Sequence, residues 1–271
     1  MINKFKDKLN KEVWIKDEYY LIAKKEILET SHQGMKILQK LALKANSILD
    51  LGCGEGTRLN LISTRKKVSI GVDISGTAIR MAKKNYPNIK FINADLENIP
   101  LENNSFDLVY SAFVLEHLIN PVRVLSEAIR LTKIRGLLVL IAPNYGAPNR
   151  ASPPFKGNRV KKLIFGFIND FLIFFQRENK LKWNKVNPIA TLDKYDIDWD
   201  TTIEPYVGNL LKFLKKKHMR IKYFTTCWSE ETLNAKLHQR LFRFLGEKQI
   251  YPFILWGPHL VVISQKESNG K

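Results

Sequence analysis

Apolar positions change rhythm along this chain. Residues 17–45 carry them at helical spacing, with Met35, Ile37, Leu38 and Leu41 spaced along a helix that Ser31 is placed to cap. From Ser47 onward, short apolar runs of strand length alternate with helical stretches. The spacing predicts strands over 47–51, 68–72, 90–93, 106–110 and 137–142, and helices over 57–63, 75–84 and 121–133. Ser75 and Asn120 are placed to cap the last two helices. Pro121 sits in a first turn, where its missing N–H costs nothing. Two more strands, 220–226 and 260–264, flank a helix from about 230 to 245.

Several strands, 137–142 most clearly, are apolar on both faces, as in a parallel sheet covered by helices on both sides. The fold class is therefore α/β, a Rossmann-like, doubly wound, mostly parallel sheet with right-handed crossovers. Residues 143–218 break the alternation and read as a helical cap and substrate insertion over the open edge of the sheet. One domain is expected over 1–271, preceded by N-terminal helices within 1–45.

Composition adds a charge question. Lys and Arg number 44 against 26 Asp and Glu, a formal charge of +18 over 271 residues. Such a charge suits nucleic acid, an anionic membrane surface or an acidic substrate. A Lys-, Ile- and Asn-rich composition of this kind also arises from genomic AT bias, so charge does not choose the acceptor. Residues 1–16 lack the apolar core of a signal peptide, and no run reaches transmembrane length. Cys53 and Cys227 form neither a disulfide framework nor a metal-ligand spacing. A reducing cytoplasm is expected, with peripheral contact at the inner face of the membrane as an extension, and no metal is expected.

The chemistry concentrates in Asp50-Leu51-Gly52-Cys53-Gly54-Glu55-Gly56-Thr57, where a strand ends, the chain turns and a helix begins. Glycines there let a ligand approach the backbone. A dinucleotide fingerprint wants its third glycine at Thr57, and a P-loop wants Gly-Lys-Ser/Thr; neither is present. Asp50 would repel a phosphate and attract an ammonium. Asp73 closes the second strand, where a carboxylate accepts from ribose hydroxyls, and Asp95 follows the third, within reach of an adenine amine. Singly, each is an ordinary solvated loop acid. Together, at neighbouring strand ends, they line a ligand crevice.

These stretches resemble class I S-adenosylmethionine (AdoMet) dependent methyltransferases. The likeness rests on Asp50 to Gly56, Gly71-Val72-Asp73-Ile74-Ser75, Asp95 to Pro100, Ser105 to Val109, Leu115-Glu116-His117-Leu118 before Pro121, and the Arg130/Gly136 stretch, covering about 45–145. It implies a seven-stranded sheet and AdoMet as cofactor. Gly52, Cys53, Gly54 and the Glu55 backbone would hold the methionine part, with Asp50 near its ammonium, directly or through water. Asp73 would take the ribose, Ile74 would pack on adenine, and Asp95 and Leu96 would flank it. Ser111 and Phe113 would line the sulfonium end. Glu116 and His117 are candidate bases for a hydroxyl acceptor, and Tyr145 a candidate lining residue; His117 also reads as part of the packing of its loop.

The insertion carries the acceptor question. Residues 143–158 read as a Pro- and Gly-rich lid loop. Residues 163–175, mostly Leu, Ile and Phe, are too short to span a bilayer. They read first as a buried cap helix, and second as an interfacial helix whose flanks Lys161, Lys162 and Arg177 meet anionic head groups. The run Lys212, Lys215, Lys216, Lys217, Arg220 and Lys222 reads as a solvated face. Asp193, Asp196, Asp198, Asp200 and Glu204 read as a solvated acidic loop, with sugar hydroxyls as alternative ligands and no known metal-loop spacing. Pro143-Asn144-Tyr145-Gly146 and Asp198-Trp199-Asp200 before Glu204-Pro205-Tyr206 are similar to methyltransferases associated with bacterial cell-surface polysaccharide synthesis.

Three functions follow. The first is O-methylation of a small-molecule, sugar or lipid-linked acceptor. The second, RNA methylation, rests on charge alone and lacks an RNA-binding module. The third is a non-catalytic membrane-surface protein on the same fold. The oligomeric state is open.

Overall fold

All five residues of β1 (Ser47–Leu51) are buried. Leu49 and Leu51 pack into one apolar cluster and Ile48 into another, so the strand lies between two helical layers. The computed structural model describes residues 13–29, 32–64, 67–175, 181–189, 198–226 and 236–268. Ser31, Arg177, Asp193, Asp196 and Cys227, and the predicted start of the helix near residue 230, lie outside the described residues.

Among the described residues, two helices, α1 (Asp17–Glu29) and α2 (Gln33–Ala42), precede β1; α3 (Thr57–Ile62), β2 (Val68–Asp73), α4 (Gly76–Asn85), β3 (Lys90–Asn93) and β4 (Phe106–Ala112) follow it. A 3-10 turn (Leu115–His117), α5 (Pro121–Leu131) and β5 (Thr132–Pro143) come next. The remaining described elements are α6 (Arg159–Phe175), β6 (Asn184–Lys185), β7 (Ile203–Glu204), α7 (Val207–Lys216), β8 (Met219–Thr225), α8 (Leu237–Glu247), α9 (Phe253–Trp256) and β9 (His259–Lys266). The seven-stranded sheet has the order β3-β2-β1-β4-β5-β9-β8, with β9 antiparallel to both neighbours and the other pairs parallel. This is the Rossmann-like methyltransferase fold. Leu38, Leu59, Ile79 and Ala82 cover one face, and Leu125, Leu131, Leu210 and Leu214 the other.

Local chemistry sets most boundaries. Ser75 caps α4 by accepting from the Ala78 N–H, as its position predicts. His32 caps α2 through the Gly34 N–H. Asn120 stands at the N-cap of α5, but its amide is spent on Glu97 (2.9 Å). Helix α5 stops at Leu131, short of 133, because Thr132 enters β5 and aligns with Phe106.

The insertion departs most from expectation. The sheet edges are β3 and β8, and residues 143–218 divide between β8 and the carboxyl ends of the strands. Helix α7 packs on β8 and β9, so the alternation resumes there. The stretch before it reaches the carboxyl ends of the strands: Thr202 donates from its N–H and hydroxyl to the Glu116 carbonyl, and from its hydroxyl to that of Leu118. Helix α6 is not a buried cap. Phe165, Phe167 and Phe171 are 54–65% exposed, and Val160, Ile164 and Ile168 are exposed with them. Lys162 does not flank a head group either; it is buried 2.6 Å from Glu204.

Candidate functional site

At the end of β1 the chain bends at Gly52, with φ +80. A Cβ there would lie 2.4 Å from the Val114 side chain, so no other residue fits unstrained. The Gly52 and Cys53 N–H groups both donate to the Val72 carbonyl, which stitches the bend to β2. Gly54 has φ +54, and an added Cβ would meet nothing closer than 3.9 Å. Its bare side therefore opens on the space above the sheet. Asp73 closes β2 and accepts from the Gly54 N–H (2.9 Å) and the Ser75 N–H (2.8 Å). Burial raises its carboxyl above the usual range, and those N–H groups pull the other way. The Asn93 amide donates to the carbonyls of Asp73 and Ile74, fixing the step after β2.

These groups line one end of a cavity of about 690 Å³, large enough for a nucleoside with an amino-acid tail. Gly52, Cys53, Gly54, Glu55, Asp73 and Ile74 meet Asp95 and Leu96 there. The other end is lined by Phe113, Glu116, His117, Asp198 and His259. Trp14, Tyr19 and Tyr20 close it from the N-terminal side. Glu55 accepts from the Thr57 hydroxyl at 2.7 Å, so its backbone is the part left to face a ligand.

Three expected site residues stand behind the wall rather than in it. Asp50 is 2% exposed and accepts from the Tyr110 hydroxyl at 2.6 Å; burial pushes its carboxyl up to about 7. It therefore lies under the glycine bend and does not reach an ammonium directly. Ser111 belongs to β4, which runs two residues past its predicted end, and its hydroxyl donates to the Leu51 carbonyl. Tyr145 donates to Asp198, which itself lines the cavity.

The far end is crowded with acid. The 3-10 turn places Glu116 and His117 side by side. Glu116 is fully buried, and neither of its oxygens has a hydrogen-bond partner among the described residues. Burial drives its carboxyl up to about 8, against the pull of His117. For His117 burial favours the neutral ring, but Asp200, Glu116 and Asp198 outweigh it and raise its pKa. Its Nδ1 lies 3.4 Å from Asp200 Oδ2 and its Nε2 3.8 Å from Glu116 Oε1. The same Asp200 oxygen accepts from Trp14 Nε1 (3.3 Å) and the Tyr19 hydroxyl (3.2 Å). Asp200 and Glu204 are buried, so this part of the acidic run is not a solvated loop. No pattern in the chain marks Trp14, Tyr19 or Tyr20 as site residues; only the long-range packing reveals them.

Residues 49–140 match a family described as a methyltransferase domain. A protein of Mycobacterium tuberculosis, named a probable S-adenosylmethionine-dependent methyltransferase, is 34% identical over 121 residues, which is 43% of this chain and 44% of that protein. A malonyl-(acyl-carrier protein) O-methyltransferase of Marinomonas sp. is 30% identical over 153 residues, 54% of this chain and 57% of the relative. The chain thus spans about half the length of these relatives. Among solved structures, a TehB-like SAM-dependent methyltransferase from Corynebacterium glutamicum has a TM-score of 0.55 at 15% identity, covering 93% of this chain and 97% of the other. That likeness establishes the fold.

Proposed function

We propose that this chain is an S-adenosylmethionine-dependent methyltransferase acting on a hydroxyl of a lipid-linked or sugar acceptor. The observation that carries the reading is one continuous cavity, with a glycine-and-carboxylate cradle at one end and a polar acceptor end at the other. Asp73 would hold the ribose hydroxyls, Ile74 and Leu96 would sandwich the base, and Asp95 would accept from its amine. The bare backbone at Gly54 would seat the amino-acid tail.

Bound AdoMet supplies an electrophilic methyl on a sulfonium that leaves as a neutral sulfide. The residues of the chain then contribute chiefly position. Holding nucleophile and methyl in line is worth roughly 7–11 kcal/mol. Trp14, Tyr19, Tyr20 and Phe113 exclude water from that line. Glu116, His117 and Asp198 surround the place for the acceptor oxygen, with Tyr145 and Asp200 holding them from behind.

Helix α6 supports an amphiphilic acceptor. Its apolar side chains face solvent, and Tyr251 and Trp256 pack against Phe167 beside it. Helix α8 adds exposed Leu237, Leu241 and Phe244; Arg159 and Lys161 are exposed at the start of α6, and Lys236 and Arg240 at the start of α8. Exposed apolar side chains on helices that also carry exposed cations suit an anionic membrane surface. Among the described residues no helix is long and apolar enough to cross a membrane.

Tritiated methyl from AdoMet, offered with lipid, polysaccharide and RNA fractions of the source cells, tests the reading. Label is expected in lipid or polysaccharide, and label confined to RNA overturns the acceptor class. Asp73→Ala should weaken S-adenosylhomocysteine binding about 10- to 150-fold by calorimetry, the worth of a charged hydrogen bond. Unchanged affinity would contradict the ribose assignment.

A further inference from the structure

We propose that Glu116, His117 and Asp198 form a binding site for one divalent cation at the acceptor end of the cavity. One ligand atom from each can be chosen so that all lie within 4.8 Å of one another. A cation about 2.1 Å from oxygen and nitrogen ligands sets them roughly 3–3.4 Å apart, so small side-chain movements close the site.

Four observations point to a cation. Glu116 is fully buried with both oxygens unpartnered among the described residues, and it lines the cavity. A buried carboxyl without a partner either holds its proton or takes a counter-charge, and coordination supplies one. The imidazole is already oriented: Asp200 Oδ2 stands beside Nδ1, which turns Nε2 toward Glu116. A carboxylate behind the ring of a ligating histidine is the usual support for a metal-bound imidazole. Asp198 is held from two sides, its Oδ2 accepting from the Tyr145 hydroxyl and its carbonyl from the Thr201 hydroxyl. Finally, Glu116 and Asp200 stand at the two nitrogens of one imidazole, with Asp198 within ligand distance of Glu116 and His117, so acidic groups surround the ring.

Two carboxylates and one imidazole make a mixed oxygen and nitrogen set, suited to Zn²⁺ or Mn²⁺ rather than to Ca²⁺, which prefers oxygen alone. Three protein ligands leave positions open toward the cavity, the arrangement of a catalytic rather than a structural site. Glu116 and His117 are neighbours, but Asp198 follows some eighty positions later, which is why no motif spacing announces the set.

What the ion does there rests on the methyltransferase reading. An acceptor hydroxyl bound to it is acidified and loses its proton to water. The oxygen then forms its bond to carbon as the sulfonium–methyl bond breaks, and the sulfide leaves neutral with the electron pair.

The test uses the full-length protein, stripped with chelator and titrated with Mn²⁺ alone or Zn²⁺ alone by calorimetry. One ion per chain is expected, with affinity reduced at least tenfold in Glu116→Gln and in Asp198→Asn. Absence of binding to the wild-type protein, or variants that bind as well as wild type, overturns the site. Should a variant fail to fold, a rise in the melting temperature of the wild-type protein with either ion is expected, and no rise counts against the site. S-adenosylhomocysteine titrated in parallel separates the two readings: binding of the nucleoside without the ion sinks only the cation site, and failure of both sinks the function as well. Methyl transfer unaffected by chelator removes the acceptor role.

Discussion

Asp50 is a carboxyl group with little room for a charge. It is buried under the glycine bend, has Tyr110 as its donor, and has its pKa pushed up to about 7. Unfolded, it would ionise near the ordinary 3.8 of an aspartate. A carboxyl whose folded pKa is raised contributes stability that is full below the unfolded value and is lost as pH rises through the folded one. Asp50→Asn removes that titration and keeps an acceptor for Tyr110. Its melting temperature relative to wild type should climb from pH 4 to about pH 7 and level off above. A gap independent of pH would show that Asp50 carries no such strain. The sequence reveals an acid at this position because the motif is local. It hides Tyr110, sixty positions away, and therefore hides that the acid faces inward.

Elements were legible where their causes are short-range. The Ser75 cap, the strands 47–51 and 90–93 and the glycine bend follow from residues within a few positions of one another. Helix α6 shows the opposite case. Its apolar run is plain in the sequence, but whether anything covers it depends on distant segments, and composition alone suggested burial. The attachment of α6 is equally nonlocal. Lys162, near its start, is buried against Glu204, which also accepts from Ser152 and Asn184. Removing one member of a buried ion pair strands the other, at about 3–5 kcal/mol. Lys162→Met should therefore lower the unfolding free energy in urea by about that much, and Lys162→Met with Glu204→Gln should recover most of it. A single variant as stable as wild type would mean the pair does not anchor the helix.

On the scale of the whole molecule, the charge of +18 and the exposed apolar helices belong together. The protein should sediment with anionic phosphatidylglycerol vesicles and not with zwitterionic phosphatidylcholine. Phe165→Glu with Phe171→Glu should abolish sedimentation, and salt should weaken it as head-group attraction is screened. Equal retention on both vesicles, or an unaffected double variant, would remove the membrane from the account. The strand order was readable in class, since alternating units leave few topologies. The roof over the cavity was not, because it joins the first described residues to a stretch nearly two hundred positions later.

That roof fastens at one point. Trp14, Tyr19 and His117 all meet a single oxygen of Asp200. A chamber latched there cannot be vented from one side alone: freeing the front panel also slackens the histidine at the back. On the proposed function, spent nucleoside and finished product should thus depart in one unlatching event, and the tempo of the cycle should follow the latch more than the transfer itself.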